Sequence, residues 1–333
     1  MIIHPITDQQ LLDHLETLEP DGIDIFILDH GNYRGAFING TRMVNQMRAN
    51  HEYGVLESFI AGHAHLAAGL LTSNIKGNDR IELNLDCKGT VQGISAESTA
   101  KGTVRGFIEN NPIIEPTSDD QETTGEDEGE KFLQQATEDS ELEIYDMSPF
   151  IGEGALSVTK KLEDAKSPFT GFVSIEHGNI AQDLTYYFLR SEQIPTAFNL
   201  SIRFDKEGRI IGAGGLMVQA FPSAEESTSR TLDSRIRTIP SLGSLIAEGT
   251  TGEALLEEHF SDVSPVHVGR KPIEFYCHCT KERFARFLRI LPAEEIRDIR
   301  DNGPFPVKTT CFNCNSTYEF SYEEIDQMLQ EAG

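Results

Sequence analysis

The sequence predicts an α+β fold in three parts: a large mixed main domain over residues 1–222, a helical linker over 223–270 and a small C-terminal domain over 271–333. Three observations predict it. Strand-like and helix-length apolar segments alternate through the first part. Proline and glycine then cut each helical segment short. Finally, four of the five cysteines fall together as Cys277-His278-Cys279 and Cys311-Phe312-Asn313-Cys314, with 31 residues between the pairs. A chain of 333 residues is long enough for one large core plus a small appended module.

In order, Ile23 to Asp29 and Tyr33 to Ile38 are strand-like runs around a His30-Gly31-Asn32 turn, which predicts a hairpin. Glu52 to Ser73 is rich in Ala and Leu and free of proline, so it reads as a largely buried helix despite its glycines. His63 and His65 lie two apart on it and do not share a face. They read as satisfied histidines rather than half of a metal site. Arg80 to Asp86 alternates polar and apolar residues, the mark of a half-buried strand, and Cys87 at its end reads as a small buried hydrophobe.

The stretch from Glu115 to Glu143 holds twelve acidic residues against the single Lys131, the composition of a solvated, disordered insertion. Strand patterns resume at Gly171 to Ile175 and Phe198 to Phe204, around a helix from about Ile180 to Ser191. Gly212-Ala213-Gly214-Gly215 lacks the full spacing and Lys-Ser/Thr ending of a phosphate loop. It reads as a turn or bulge entering the strand Leu216 to Gln219. Leu232, Ile236 and Ile239 keep helical spacing until Pro240, and Gly243, Gly249 and Gly252 weaken the helical tendency of the residues after it. Residues 223–270 therefore read as a connector of short helices, stable mainly when something packs against them.

The cysteines carry the chemistry. Two closely spaced pairs can bring four soft sulfurs to about 2.3 Å from one zinc ion, and the same pairs can form disulfides on oxidation. A stable site and a switch are both open on spacing alone. Between the pairs, Phe284, Phe287, Leu288 and Leu291 form one helical stripe, and Pro292-Ala293-Glu294-Glu295 suits the first turn of a second helix that Asp301-Asn302-Gly303-Pro304 stops. Thr317 to Phe320 reads as a strand, and Ser321-Tyr322-Glu323-Glu324 as a capping box opening a terminal helix. So small a core needs help, and below about 70 residues a metal commonly supplies it. Lys281, Arg283, Arg286 and Arg289 could favour thiolates, although helical surface charge is the commoner role.

Composition narrows the partners. A net charge of −26 argues against a phosphate-binding surface, hence no nucleic acid. No window approaches the roughly 18 apolar residues of a membrane helix, so no membrane partner is expected. Met1 to Asp8 does not read as a secretion signal, which points to a reducing cytoplasmic compartment.

Beyond the cysteines, the run from Tyr187 to Thr196, that from Ala213 to Pro222, Arg34-Gly35, Arg105-Gly106, Leu70-Leu71, Thr280 to Arg283 and Leu291 to Glu295 all match one pattern. With them the chain resembles the redox-regulated holdase chaperones of the 33-kilodalton heat-shock protein family over nearly its whole length; the acidic insertion is the departure. The resemblance implies a non-enzymatic, ATP-independent holdase. In the reduced state Cys277, Cys279, Cys311 and Cys314 would hold one zinc ion and the linker would stay docked. Oxidation would pair Cys277 with Cys279 and Cys311 with Cys314, release zinc, unfold the small domain and linker, and expose surface for unfolded client proteins. The family also implies a homodimer when oxidised and transfer of clients to ATP-dependent foldases. Two other readings stand beside it: a thiol-disulfide oxidoreductase built on Cys311 and Cys314, and a constitutive zinc-ribbon binding module.

Overall fold

The computed structural model describes residues 1–113 and 146–332; the acidic stretch from Glu115 to Glu143 lies outside them. The chain divides into two compact units, one of Pro5–Phe275 and one in which Met1–His4 join Tyr276–Gly333.

The larger unit is built on two sheets. In the first, strands β1 (Gly22–Leu28), β2 (Tyr33–Asn39), β8 (Thr196–Phe204), β9 (Ile210–Ala220) and β10 (Val266–Pro272) run in the order β10-β1-β2-β9-β8, every pair antiparallel. In the second, β3 (Arg80–Cys87), β4 (Gly93–Thr99), β5 (Thr103–Ile108), β6 (Gly154–Lys161), β7 (Phe169–Ser174) and β11 (Glu274–Phe275) run in the order β11-β5-β4-β3-β6-β7. The expected first hairpin forms, with Leu28 opposite Tyr33 and the turn at Asp29–Gly31, where Asp29 and His30 take positive φ.

Helix α1 (Gln9–Thr17) is followed by α2 (Thr41–His51) and α3 (Val55–Leu71), the last packed against strands of both sheets. The long helix thus begins later than composition suggested. Gly54 caps α3, and Glu52 closes α2 with a left-handed backbone. The glycines inside α3 serve close packing: a Cβ on Gly62 or Gly69 would come within 2.5 Å of Ile202 or Ile38. That intimacy offsets the roughly 1 kcal/mol each glycine costs a helix. Contrary to the expectation from composition, Val55–Asn74 is long and apolar enough to cross a membrane by length and hydropathy. In the fold, 94% of that window is buried inside the protein. His63 and His65 are core residues whose Nδ1 atoms lie 2.7 Å from the carbonyl oxygens of Phe59 and Ala61.

The helices of 223–260 follow the expected breaks. After α4 (Ser148–Ile151) and α5 (Ile180–Tyr187), the chain forms α6 (Glu226–Thr238), α7 (Leu242–Ala247) and α8 (Gly252–Phe260). Their apolar residues, among them Leu232, Ile236, Leu242, Ile246, Leu255 and Phe260, form one buried cluster with Leu11 and Leu15 of α1 and with Phe26, Tyr33, Leu216 and Val218 of the first sheet.

Two features differ from expectation. Val266–Pro272 is a strand pairing with β1, because Asp24, buried in β1, holds both His267 (2.9 Å) and Arg270. The glycine run 212–215 is not a turn but lies within β9, and the register of β9 against β8 shifts immediately before Gly212. Gly212 and Gly214, two apart and so on one face, form the floor on which α7 rests. A Cβ on Gly212 would lie 1.9 Å from the Gly243 carbonyl oxygen, and one on Gly214 would lie 2.2 Å from Ile246.

Candidate metal centre

The smaller unit is made by α9 (Lys281–Ile290), α10 (Ala293–Asn302), the hairpin β12 (Val307–Thr310) and β13 (Thr317–Phe320), and α11 (Tyr322–Ala332). Its buried centre comprises Ala285, Ile296, Phe320, Ile325 and Met328, with Phe284, Leu288 and Leu291 packed against them. The helical stripe holds at those three positions and fails at Phe287, which is 55% exposed. Pro292 is the N-cap of α10 and Gly303 ends that helix with φ +53°. The capping box forms: the Ser321 amide donates to Glu324 (2.8 Å) and the Glu324 amide to Ser321 Oγ (3.3 Å).

Local structure explains both cysteine pairs. Cys277 and Cys279 lie on an irregular segment where burial alternates, so Cys277 and Cys279 turn inward and His278 outward. Thr280 then caps α9 by accepting the Arg283 amide at 3.2 Å. Cys311 and Cys314 occupy the turn between β12 and β13. The amides of Cys314 and Asn315 donate to the Cys311 carbonyl (3.2 and 2.7 Å), and Asn315 takes φ +55°. The motif therefore sits in a hairpin turn and not at the start of a long helix, the place a thioredoxin-like dithiol occupies.

All four sulfurs lie within 4.8 Å of one another, and all four cysteines are buried. Cys277 and Cys311 are 3.8 Å apart, Cys279 and Cys314 3.3 Å. A tetrahedron with zinc–sulfur bonds of about 2.3 Å has edges of about 3.8 Å. The four thiols thus fit a single soft metal ion. Hydrogen bonding to Cys277 above all, with burial, pushes the Cys311 thiol up and raises Cys314 to about 12. Such thiols stay protonated until a cation displaces the protons.

Ser316 and Tyr318 support the cluster, and neither was visible as a site residue in the sequence. The Cys314 thiol donates to Ser316 Oγ (3.2 Å), and Tyr318 Oη lies 3.3 Å from Cys279 Sγ while donating to the Cys279 carbonyl (3.0 Å). Their only sequence signal is their place just beyond Cys314. Two of the nearby cations are committed to carboxylates: Lys281 pairs with Glu324 (2.6 Å) and Arg289 with Glu331 (3.1 Å). Cys87 lies apart in β3, 5% exposed, with its thiol raised to about 11 by burial.

A mixed two-sheet unit and a four-thiol module in one chain match the family of the 33 kDa chaperonins. The family model described as Hsp33 protein matches residues 21–321, and the chain belongs to the Hsp33 family. It is 32% identical over 292 residues to the 33 kDa chaperonin of Ruminiclostridium cellulolyticum, covering 87% of this chain and 91% of that one. It is 30% identical over 303 residues to the 33 kDa chaperonin of Geobacillus sp., covering 91% and 95%. The crystal structure of the 33 kDa chaperonin from Thermotoga maritima is similar with a TM-score of 0.77 at 27% identity, over 94% of this chain and 99% of that one.

Proposed function

We propose that this protein is a redox-regulated, ATP-independent holdase of the reducing cytoplasm, switched by Cys277, Cys279, Cys311 and Cys314. The observation that carries the reading is the convergence of four buried thiols in a unit whose apolar centre is too small to hold it alone. Zinc is the ion the donors suit, and when bound it would contribute folding energy, about 10–16 kcal/mol in small zinc-finger peptides.

In the reduced chain the four sulfurs hold the hairpin turn against the segment that opens α9. Peroxide takes two electrons from each cysteine pair: one S–S bond forms, the O–O bond breaks, and the two thiol protons leave in two molecules of water. All four sulfurs lie within 4.8 Å of one another, and of the three possible pairings Cys277 with Cys279 and Cys311 with Cys314 is the one the family resemblance favours. Each bond removes two donors, so the module loses what fixes its turns and unfolds.

The second moving part is the helical segment α6–α8, within the linker assigned to 223–270. It is held to the sheet by apolar packing, with Leu242, Ile246, Leu255 and Phe260 almost wholly buried. Its hydrogen bonds include the Gly243 amide to Ser201 Oγ (3.0 Å), Asn199 Nδ2 to the Ile236 carbonyl (3.0 Å) and Tyr33 Oη to the Glu225 carbonyl (3.1 Å). Beside α6 a cavity of about 320 Å³ is lined by Leu232 and Ile236 and by Ala197 and Val218. Undocking would uncover Phe26, Tyr33, Leu216 and Val218 as a surface for unfolding clients. The oxidised chain then pairs as a homodimer and passes its clients to ATP-dependent foldases after reduction.

Zinc content and suppression of a denatured client's aggregation, measured together before peroxide, after it and after dithiothreitol with zinc resupplied, test the reading. Zinc loss with gained holdase activity, both reversing, is the expected result. Retained zinc, or oxidation without gain, would reduce the four cysteines to a structural site.

A further inference from the structure

We infer that the first residues of the chain, Met1 and Ile2, are a working part of the metal centre: a strap that positions the Cys277–Cys279 segment and the Cys314–Ser316 turn against each other. This rests on the reading that the four thiols hold a metal. Met1–His4 belong to the compact unit of the cysteines, whereas the chain from Pro5 onward belongs to the main unit. The Met1 ammonium donates to the carbonyl oxygens of Cys277 (3.3 Å) and Cys279 (3.0 Å), and the Cys277 amide donates to Met1 Sδ (3.2 Å). One residue on, the Ile2 amide donates to Ser316 Oγ (2.8 Å), and Ser316 Oγ lies 3.2 Å from the Ile2 carbonyl.

The two cysteine pairs come from distant segments with no backbone pairing between them among the described strands. Met1 grips the backbone of the first pair, and Ile2 grips Ser316, which accepts the thiol of Cys314 from the second pair. Two adjacent residues thus bridge both halves of the donor set. Cys277 and Cys279 lie outside regular secondary structure, so their carbonyls and amides need partners from elsewhere. The strap supplies them. It also makes Met1 and Ile2 a second place from which the centre can be loosened, without any cysteine being touched.

The test is the rate of zinc release from the full-length reduced chain to a chromophoric chelator, compared with a chain beginning at Pro5, with Ser316→Ala, and with the two combined. A net hydrogen bond is worth about a fivefold change in an equilibrium. Truncation, which removes several, should speed release by about tenfold or more, with the cobalt-substituted spectrum still that of a tetrahedral tetrathiolate. Ser316→Ala should speed release about fivefold in the full-length chain and clearly less in the truncated one, because the strap through which it acts is gone.

Equal release from full-length and truncated chains, or a Ser316→Ala effect of the same size in both, overturns the strap while leaving the four-thiol site standing. A wild-type chain that binds no zinc overturns both. Should truncation disturb the main unit, the Ser316→Ala chain carries the test through hydrogen exchange. Faster exchange at the Cys277 amide, which Ser316 does not itself touch, is expected, and unchanged exchange overturns the strap.

Discussion

The two units of this chain solve the same problem by different means. The main unit buries a helix on every side between two sheets, with large side chains such as Tyr187, Phe26, Phe37 and Phe188 almost wholly enclosed. The cysteine unit encloses Phe320 and a handful of smaller groups, and leaves Phe287, Ile290 and Phe312 more than half exposed. On the proposed function, what apolar burial does for the first, four sulfurs around a metal do for the second. A fold held by burial is indifferent to oxidants, whereas one held by thiols answers to them.

Removing one sulfur should break the comparison most severely. Cys314→Ser is expected to abolish stoichiometric zinc binding and forfeit on the order of 10 kcal/mol of metal-linked folding energy. Limited proteolysis should then cut within 281–332 and 226–260 while α3 and the central strands β2, β9 and β3 stay resistant.

Acid and alkali should act on opposite units. Burial holds His63 and His65 down to about 4 from the usual 6.5. Between those values the unfolded chain binds more protons than the folded one, so the main unit should lose stability as pH falls from about 6.5 to about 4, by up to about 3 kcal/mol per histidine. The Cys311 and Cys314 thiols are raised instead, so the metal-free small unit keeps their contribution below pH 9 and loses it as pH rises toward about 12. Urea unfolding against pH, read with one probe in each unit, checks both slopes.

Gly243→Val probes the docking of α7 inside the main unit. A side chain there would meet the Arg203 amide nitrogen at 2.8 Å and Ser201 Oγ at 3.0 Å. The overpacking should weaken docking by about 2 kcal/mol. Aggregation suppression by the reduced, zinc-loaded variant should rise above wild type. The smallest effect is expected at Cys87→Ala, about 1 kcal/mol of stability, with zinc content and peroxide response unchanged, because that thiol is a packing group in β3.

The sequence was most legible where the signal is local. The first hairpin, β3 and the capping box at Ser321 can be read from neighbouring residues, and so can the spacing that brings Cys311 and Cys314 into one turn. Signals that depend on distant partners were not. Nothing in Val266 to Pro272 shows that Asp24, more than 200 residues earlier, will hold it as an edge strand. The glycines of β9 look like a turn until α7 is laid on them. Met1 and Ile2 have no pattern at all, since their role is set by the carbonyls of Cys277 and Cys279 and by Ser316.

The central claim is that oxidation dismantles the thiol-held unit and frees helices α6–α8 while the core around α3 survives. Hydrogen exchange of the full-length chain, reduced with zinc and then oxidised with peroxide, tests it most directly. The account predicts that protection is lost across 281–332 and 226–260 and kept in α3 and the central strands β2, β9 and β3. Protection retained in 281–332 after the four thiols are oxidised, or lost evenly through both units, would contradict it.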